Sequence, residues 1–242
     1  MTAPGLGSAV AAELDKLRTL PAMLLAIAGT IVAGAALGSA FAAAAVAGRV
    51  ALTATEATLS TVPYLQAGML IVGAWPFTHE YAGSQIRSTL AAMPRRPRLL
   101  VAKTIATLVA AGLTAAGTVA VTWAAGAITL RAHGIPEGDV GLGSLAGAAG
   151  YLVLMGLLAS GVALLVRHLV PTLVTLLSVV MIASPLLAAQ SEHARWLPDR
   201  AAQQLYAATD AVLTPGTGSL VALGWVMAIG GIAALRFVRR DA

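Results

Sequence analysis

Hydrophobic and polar positions along the chain fall into long blocks. Six blocks lack Asp, Glu, Lys, Arg and His, and they cover residues 19–48, 57–78, 104–130, 140–166, 169–191 and 211–235. A helix of about 20 apolar residues crosses the ~30 Å hydrocarbon core of a bilayer, where a central charge costs at least ~2.5 kcal/mol. The pattern predicts six transmembrane helices in one domain, residues 1–242, with spans within 20–47, 58–78, 104–130, 142–166, 169–190 and 214–235.

Composition supports this interpretation. Of 242 residues, 58% are hydrophobic and 10% are charged, whereas soluble domains carry about 25% charged residues. Disordered chains are poor in apolar residues, so this composition excludes an intrinsically disordered protein. The absence of cysteine excludes disulfides, thiol chemistry and Cys-ligated metal centres. No alternating strand pattern is present, so we expect an all-α membrane protein.

The basic residues predict the orientation. With both termini on one side, that side carries eleven basic and four acidic residues (+7), and the other carries four basic and six acidic residues (−2). Because basic residues concentrate in cytoplasmic loops, we expect both termini in the cytoplasm of a multi-pass protein. The net charge of +5 is then a consequence of topology and does not indicate nucleic-acid binding.

An amphipathic helix is predicted before the first span, over about residues 6–19. Leu6, Val10, Leu14 and Leu17 recur at helical spacing on one face. Such a helix would lie on the inner leaflet and turn into the membrane at Pro21. The alternative is a frayed tail with some helical content.

A second short helix is predicted between spans two and three. Ile86, Leu90 and Met93 form an apolar stripe beside Arg87, and prolines at 94 and 97 end the pattern. Such a helix suits a groove on a partner protein, but it equally suits anionic lipid headgroups with its arginines extended toward them.

The residues offer little for catalysis. His79-Glu80 resembles the start of a zinc-binding helix, but Gly83 stands where the second histidine belongs. Ser160 has no histidine within a span to act as a base. Neither Lys16 nor Lys103 follows a glycine as a phosphate-binding loop requires. We expect no catalytic, cofactor-binding or metal site, and any ATPase must be a separate subunit.

Two stretches resemble the permease subunits of ABC-2 type ABC transporters. Residues 12–19 resemble the amphipathic connecting helix of that family, with its Glu…Lys-x-Arg opening. Residues 79–90 and 94–98 are similar to its Glu-x-x-x-Gly-Thr-x-Arg cytoplasmic segment, with Gln85 offset and Ser84 in place of threonine. Lys103, the 197–198 Leu-Pro pair and the terminal Arg-Arg-Asp at 239–241 also match.

The resemblance implies a half-transporter in the bacterial cytoplasmic membrane. Two permeases would pair as a homodimer or heterodimer, and each would bind a cytosolic ATPase subunit that holds ATP and Mg²⁺. The short helix after span two would be a coupling helix that contacts the ATPase. The coupling surface would comprise Glu80, Gly83, Ile86, Arg87, Leu90, Arg95 and Arg96.

The apolar spans suit a hydrophobic or amphipathic cargo, such as a drug, an antimicrobial peptide or a lipid. Export of such cargo would connect the protein with multidrug or antibiotic resistance. Aromatic residues within spans more often serve ordinary packing, but five are candidate contacts along the substrate path: Phe41, Tyr64, Trp75, Trp123 and Tyr151. The alternative function is a non-transporting immunity or regulatory subunit that binds a peptide or protein.

Overall fold

A computed structural model describes residues 5–82, 96–208 and 210–239, which form eight helices and contain no strand. The helices are α1 (Leu6–Thr19), α2 (Pro21–Gly48), α3 (Ala54–Ala82), α4 (Arg96–Ala132), α5 (Leu142–Val166), α6 (Leu169–Gln190), α7 (Pro198–Ala207) and α8 (Pro215–Arg239). A 3₁₀ turn, Glu192–Trp196, connects α6 to α7.

Six of these helices, α2 to α6 and α8, are long and apolar enough to cross a membrane. The prediction of an all-α chain with six such helices is confirmed, and the arrangement defines the class as a multi-pass membrane protein. More than half of the residues in the most apolar windows of α3 and α5 are buried, whereas fewer than a quarter are buried in α2, α6 and α8. The central pair α3–α5 is therefore surrounded by helices with largely exposed surfaces.

Polar contacts bring α1 and the ends of three spans to one end of the bundle. The Lys103 ammonium of α4 contacts Glu13 of α1 and Glu80 of α3, and the Arg96 guanidinium donates to the carbonyl oxygen of Phe237 in α8 at 3.4 Å. We call this the basal end, and the end that carries the connection from α6 to α8 the distal end. Residues 83–95, which include most of the predicted coupling helix, connect α3 to α4 and lie outside the described residues.

Two membrane-spanning helices extend beyond the charged residues at the ends of their apolar blocks. Helix α3 continues through Glu80 to Ala82, and α4 begins at Arg96, eight residues before the uncharged block starts at 104. Glu80 and Lys103 neutralise each other in the folded chain, so neither charge forces its helix to end.

Helix α6 contains a π-helical turn, Ser178–Ala183, which ends two residues before Pro185. Proline has no amide hydrogen to donate to the preceding turn and clashes with the carbonyl there. A widened turn accommodates this interruption while the helix continues.

Small residues let the helices approach closely. A Cβ atom added to Gly34 or Gly38 of α2 would overlap Thr122 of α4, and one added to Gly73 of α3 would overlap the backbone of Gly156 in α5. In the sequence, Gly34 and Gly38 lie four residues apart, as do Gly143 and Gly147, and this spacing favours close helix packing. In the second pair only Gly147 is tightly packed: a Cβ on it would overlap the Leu205 carbonyl of α7, whereas a Cβ on Gly143 would meet no atom within 4 Å. Backbone contact of this kind stabilises helix pairs in lipid, where no hydrophobic effect drives association.

The contact of α2 with α4 provides a stability test. Gly38→Ala should lower the unfolding free energy by about 1–3 kcal/mol, because the obstacle is the rigid Thr122 carbonyl. Gly29→Ala in the same helix is the matched control, since its Cβ would meet nothing within 4 Å. Thermal unfolding in detergent measures both variants, and an equal effect of the two substitutions would contradict the close approach.

Candidate functional site

Four charged side chains meet at the basal end, and we call them the basal charge cluster: Glu13, Lys16, Glu80 and Lys103. The Lys103 Nζ lies 2.7 Å from Glu13 Oε2 and 2.9 Å from Glu80 Oε1. The Lys16 Nζ lies 2.9 Å from Glu13 Oε1 and 2.5 Å from Glu80 Oε1. Each ammonium group therefore contacts both carboxylates, and the net charge is zero.

Local structure explains how three helices supply these groups. Glu13 and Lys16 are three residues apart on α1, so they share the face that also buries Leu17. The Lys103 ammonium also donates to the carbonyl oxygen of Pro76 at 3.3 Å and lies 6.0 Å from the centre of the Phe77 ring. The cluster thus ties α1 and α4 to the last two turns of α3.

The cluster is buried from water. Glu80, Glu13 and Lys103 are 1%, 4% and 5% exposed, and Lys16 closes the cluster on its more exposed side. Burial alone would lower the pKa of Lys16, but hydrogen bonds and charges from Glu80 and Glu13 outweigh it and raise that pKa above its ordinary value. The contribution of Lys16 to stability is therefore complete below about pH 10 and is lost only as pH rises through the raised pKa.

The predicted coupling residues divide into two groups. Gly83, Ile86, Arg87, Leu90 and Arg95 lie outside the described residues, so their contacts stay a prediction. Glu80 points into the basal charge cluster, two residues before α3 ends, and Arg96 begins α4 and contacts the end of α8. Both flanks of segment 83–95 are thus attached to other helices by charged side chains.

The five aromatic candidates do not form one continuous group. The Phe41 and Tyr64 rings lie 6.0 Å apart, and the Tyr64 side chain is exposed on α3. Trp75 packs with Leu17 and Met23 near the basal end, and Trp123 packs in a separate cluster with Ala42, Ala54 and Leu130.

Tyr151, the fifth aromatic candidate, is buried and belongs to a polar connection between helices. Its hydroxyl donates to Gln66 of α3, and its ring meets Tyr206 of α7 edge-on at 5.3 Å. The Gln66 amide also donates to the carbonyl oxygen of Pro63 at 2.7 Å. Tyr151 thus contributes to the packing of α3, α5 and α7.

A second polar cluster lies at the distal end. Asp199 of α7 is 6% exposed and accepts a hydrogen bond from Ser184 of α6, and the Arg200 Nε lies 3.7 Å from Asp199 Oδ2. Burial raises the pKa of Asp199, although Ser184 and Arg200 act in the opposite direction. The Asp199 Oδ1 atom has no hydrogen-bond partner among the described residues.

No metal site emerges in the parts of the chain that the structure describes, where no three His, Asp or Glu side chains converge. In the basal charge cluster, two ammonium groups already neutralise the two carboxylates. The arrangement suits mechanical attachment of helices better than chemistry.

The chain matches no protein-family model and has no significant match among curated proteins. The resemblance described above therefore depends on the residues of this sequence alone, and the function is argued below from the site.

Sequence reasoning missed the pairing within both clusters. Lys103 contacts Glu13 at a separation of 90 residues, and Ser184 contacts Asp199 across a helix boundary. The available signal was indirect: Lys103 borders the apolar block 104–130, and Lys16 and Glu80 lie within three residues of the blocks 19–48 and 57–78, where an isolated charge is costly. Complementary charges at such borders indicate partners, but they do not say which carboxylate meets which lysine.

Removal of one ammonium group should lower the stability of the protein, because the remaining buried charges would lack a partner. Lys103→Met should destabilise the protein by about 3–5 kcal/mol, because it leaves two buried carboxylates with one cation. Arg18→Gln is the control, since Arg18 and Asp15 are mostly exposed and 3.9 Å apart, and it should change stability by less than about 1 kcal/mol. Thermal unfolding in detergent measures both, and similar losses would argue against a buried network.

Asp199 should give the distal end an unusual pH dependence. A carboxyl group whose pKa is raised on folding binds more protons in the folded state, so its contribution to stability falls as pH rises from about 4 through the raised pKa. Asp199→Asn removes this loss of stability at higher pH, because asparagine does not ionise. As pH increases from about 4 to 7, the melting temperature of the variant should therefore rise relative to that of the wild type.

Asp210 provides a control of opposite sign. Hydrogen bonds from the amides of Val212 and Leu213 lower its pKa, so its stabilising effect is present above about pH 4 and is lost on acidification. Asp210→Asn should lose stability relative to the wild type at neutral pH and recover it in acid. A parallel response of the two variants would contradict the buried position of Asp199.

Proposed function

We propose that this protein is the membrane-spanning permease subunit of an ATP-driven ABC exporter in the bacterial cytoplasmic membrane. It moves a hydrophobic or amphipathic substrate out of the cell, pairs with a second permease and takes its energy from a separate cytosolic ATPase. The basal charge cluster is the observation that carries this proposal, because it joins α1 to α3 and α4, the two helices that the segment proposed to meet the ATPase connects.

Segment 83–95 is suited to transmit a displacement. The segment joins α3 to α4, and Glu80 and Lys103 on its two sides contact each other. Both also contact Glu13 or Lys16 of α1. A partner that pulls on the segment therefore pulls on all three helices at once.

Helix α1 passes the displacement to α2. Leu20 alone separates Thr19 from Pro21, and its backbone is extended. Leu17 and Met23 are buried in the same apolar cluster as Val72 and Ala106, so α1 and the start of α2 pack against α3 and α4. Movement of the basal charge cluster would thus reach four helices of the bundle.

The sequence shows no phosphate-binding loop, and this supports a separate ATPase subunit. Lys16 and Lys103 are held by carboxylates in the cluster, and neither follows the glycine of a phosphate-binding loop. The basic residues around segment 83–95 also suit the cytoplasmic side of the membrane.

The positions of the aromatic residues reduce the number of candidate contacts along the proposed substrate path. Tyr64 is exposed and contacts Phe41, so this pair is accessible from the surface of α3. Tyr151 is buried and hydrogen-bonded, and it serves the packing of the core instead. A cargo that moves between two paired permeases would therefore meet Phe41 and Tyr64 first.

Purification of the tagged chain from its native host tests the proposal. We expect an ATPase subunit to co-purify and its ATP hydrolysis to rise roughly fivefold or more in the complex. Leu90→Asp should remove the ATPase from the complex, because a charge would disrupt the predicted apolar stripe. Glu80→Gln should retain the ATPase but reduce the stimulation, since it weakens the attachment of α3 to α1 and α4.

Asp15→Asn serves as the control, because Asp15 is exposed on α1 and outside the cluster. Nucleotide hydrolysis by the isolated chain would overturn the proposal. Function that persists with a catalytically inactive ATPase would favour the alternative, a non-transporting immunity or regulatory subunit.

A further inference from the structure

An apolar groove runs along the surface at the basal end, between α1, α2 and α4. Its volume is about 220 Å³. We call it the basal groove, and it is lined by Leu14, Leu17, Arg18, Leu24, Ile27, Ile31, Val109, Ala110, Leu113 and Thr114. We propose that the basal groove binds an acyl chain of an anionic phospholipid, with the lipid phosphate on Arg18.

The position of the groove favours a lipid as its occupant. Helices α2 and α4 are both long and apolar enough to cross the membrane, so a groove on their surface faces hydrocarbon. The Thr114 hydroxyl donates to the carbonyl oxygen of Ala110 at 2.7 Å, so it places no unsatisfied polar group in the groove. The interior is therefore as apolar as the chain that would fill it.

The groove lies within the depth of one leaflet. Its lining on α2 runs from Leu24 to Ile31, which is about 10 Å at 1.5 Å per residue. Half of the ~30 Å hydrocarbon core is about 15 Å. An acyl chain in the leaflet at the basal end is therefore long enough to reach Ile31 when its headgroup lies level with α1.

Arg18 provides the charge at the mouth. Its side chain is mostly exposed, and its ion pair with Asp15, at 3.9 Å, is long and open to solvent. Asp15 does not line the groove. The nearby carboxylates of Glu13 and Glu80 are already neutralised by lysines. A guanidinium group offers two parallel donors to a phosphate, so an anionic headgroup complements this mouth.

Native mass spectrometry of the full chain tests the proposal, using equal amounts of phosphatidylglycerol and phosphatidylcholine. We expect retained phosphatidylglycerol to exceed phosphatidylcholine by about tenfold, because both lipids carry the phosphate but the choline ammonium group offsets its charge at Arg18. Leu113→Trp should abolish the retained lipid by filling the groove. Arg18→Gln should keep a bound lipid but bring the two lipids to similar levels.

Leu25→Trp is the matched control. Leu25 and Leu113 are 73% and 72% exposed on membrane-spanning helices, but only Leu113 lines the groove. Equal lipid loss in both variants would overturn the groove as the binding site. Equal retention of the two lipids by the wild type would overturn the role of Arg18.

A second copy of the chain is the competing occupant. If Leu113→Trp converted a dimer to a monomer and left lipid retention unchanged, the groove would be a protein interface and the proposal would be wrong. None of these outcomes depends on an ATPase, so they test the groove independently of the proposed function.

Discussion

Two carboxylates and one ammonium group are buried at the basal end under a second, partly exposed ammonium group, and the buried charges are tolerable there only while all four groups stay in contact. An isolated charge in this position would lose its hydration without compensation, at a cost of several kcal/mol. Glu80 and Lys103 each contact a residue of α1. Movement of α3 or α4 away from α1 would therefore break an ion pair and incur that cost. The cluster therefore controls the positions of three helices through one electrostatic constraint.

Close backbone contact extends this constraint along the membrane-spanning part. Gly34 and Gly38 bring α2 against α4, and Gly73 brings α3 against α5. Glycine leaves no side chain that can adjust, so these helix pairs hold a fixed separation. These contacts and the basal charge cluster connect α2 to α5 in one unit, although α2, like α6 and α8, leaves most of its surface exposed. The π turn in α6 places the main irregularity among the spans in one of the less buried helices.

The six spans are predictable because each is an uninterrupted apolar block, and hydrocarbon penalises charge wherever the chain would place it. The packing faces are not predictable in the same way. Helices α2 and α5 are apolar on all sides, so their hydrophobic periodicity does not give the packing faces, and only the four-residue spacing of Gly34 and Gly38 distinguishes the packed Gly38 from the open Gly29. The basal charge cluster is similarly hidden, because Glu13 and Lys103 meet across 90 residues of chain. Segment 83–95, on which the coupling hypothesis depends, stays a prediction from sequence.

A neutral cluster with two contacts per group also suits the proposed transmission of force. Separation of one ion pair leaves a partly compensated charge, so the energy rises with the first small displacement and the four groups move together. A single hydrophobic contact would instead allow the helices to slide at little cost, since such contacts have no direction. The distal polar cluster connects only α6 and α7 through Ser184 and Asp199. Under the proposed function, movement would therefore begin as a joint displacement of α1, α3 and α4 and reach the distal end through their packing.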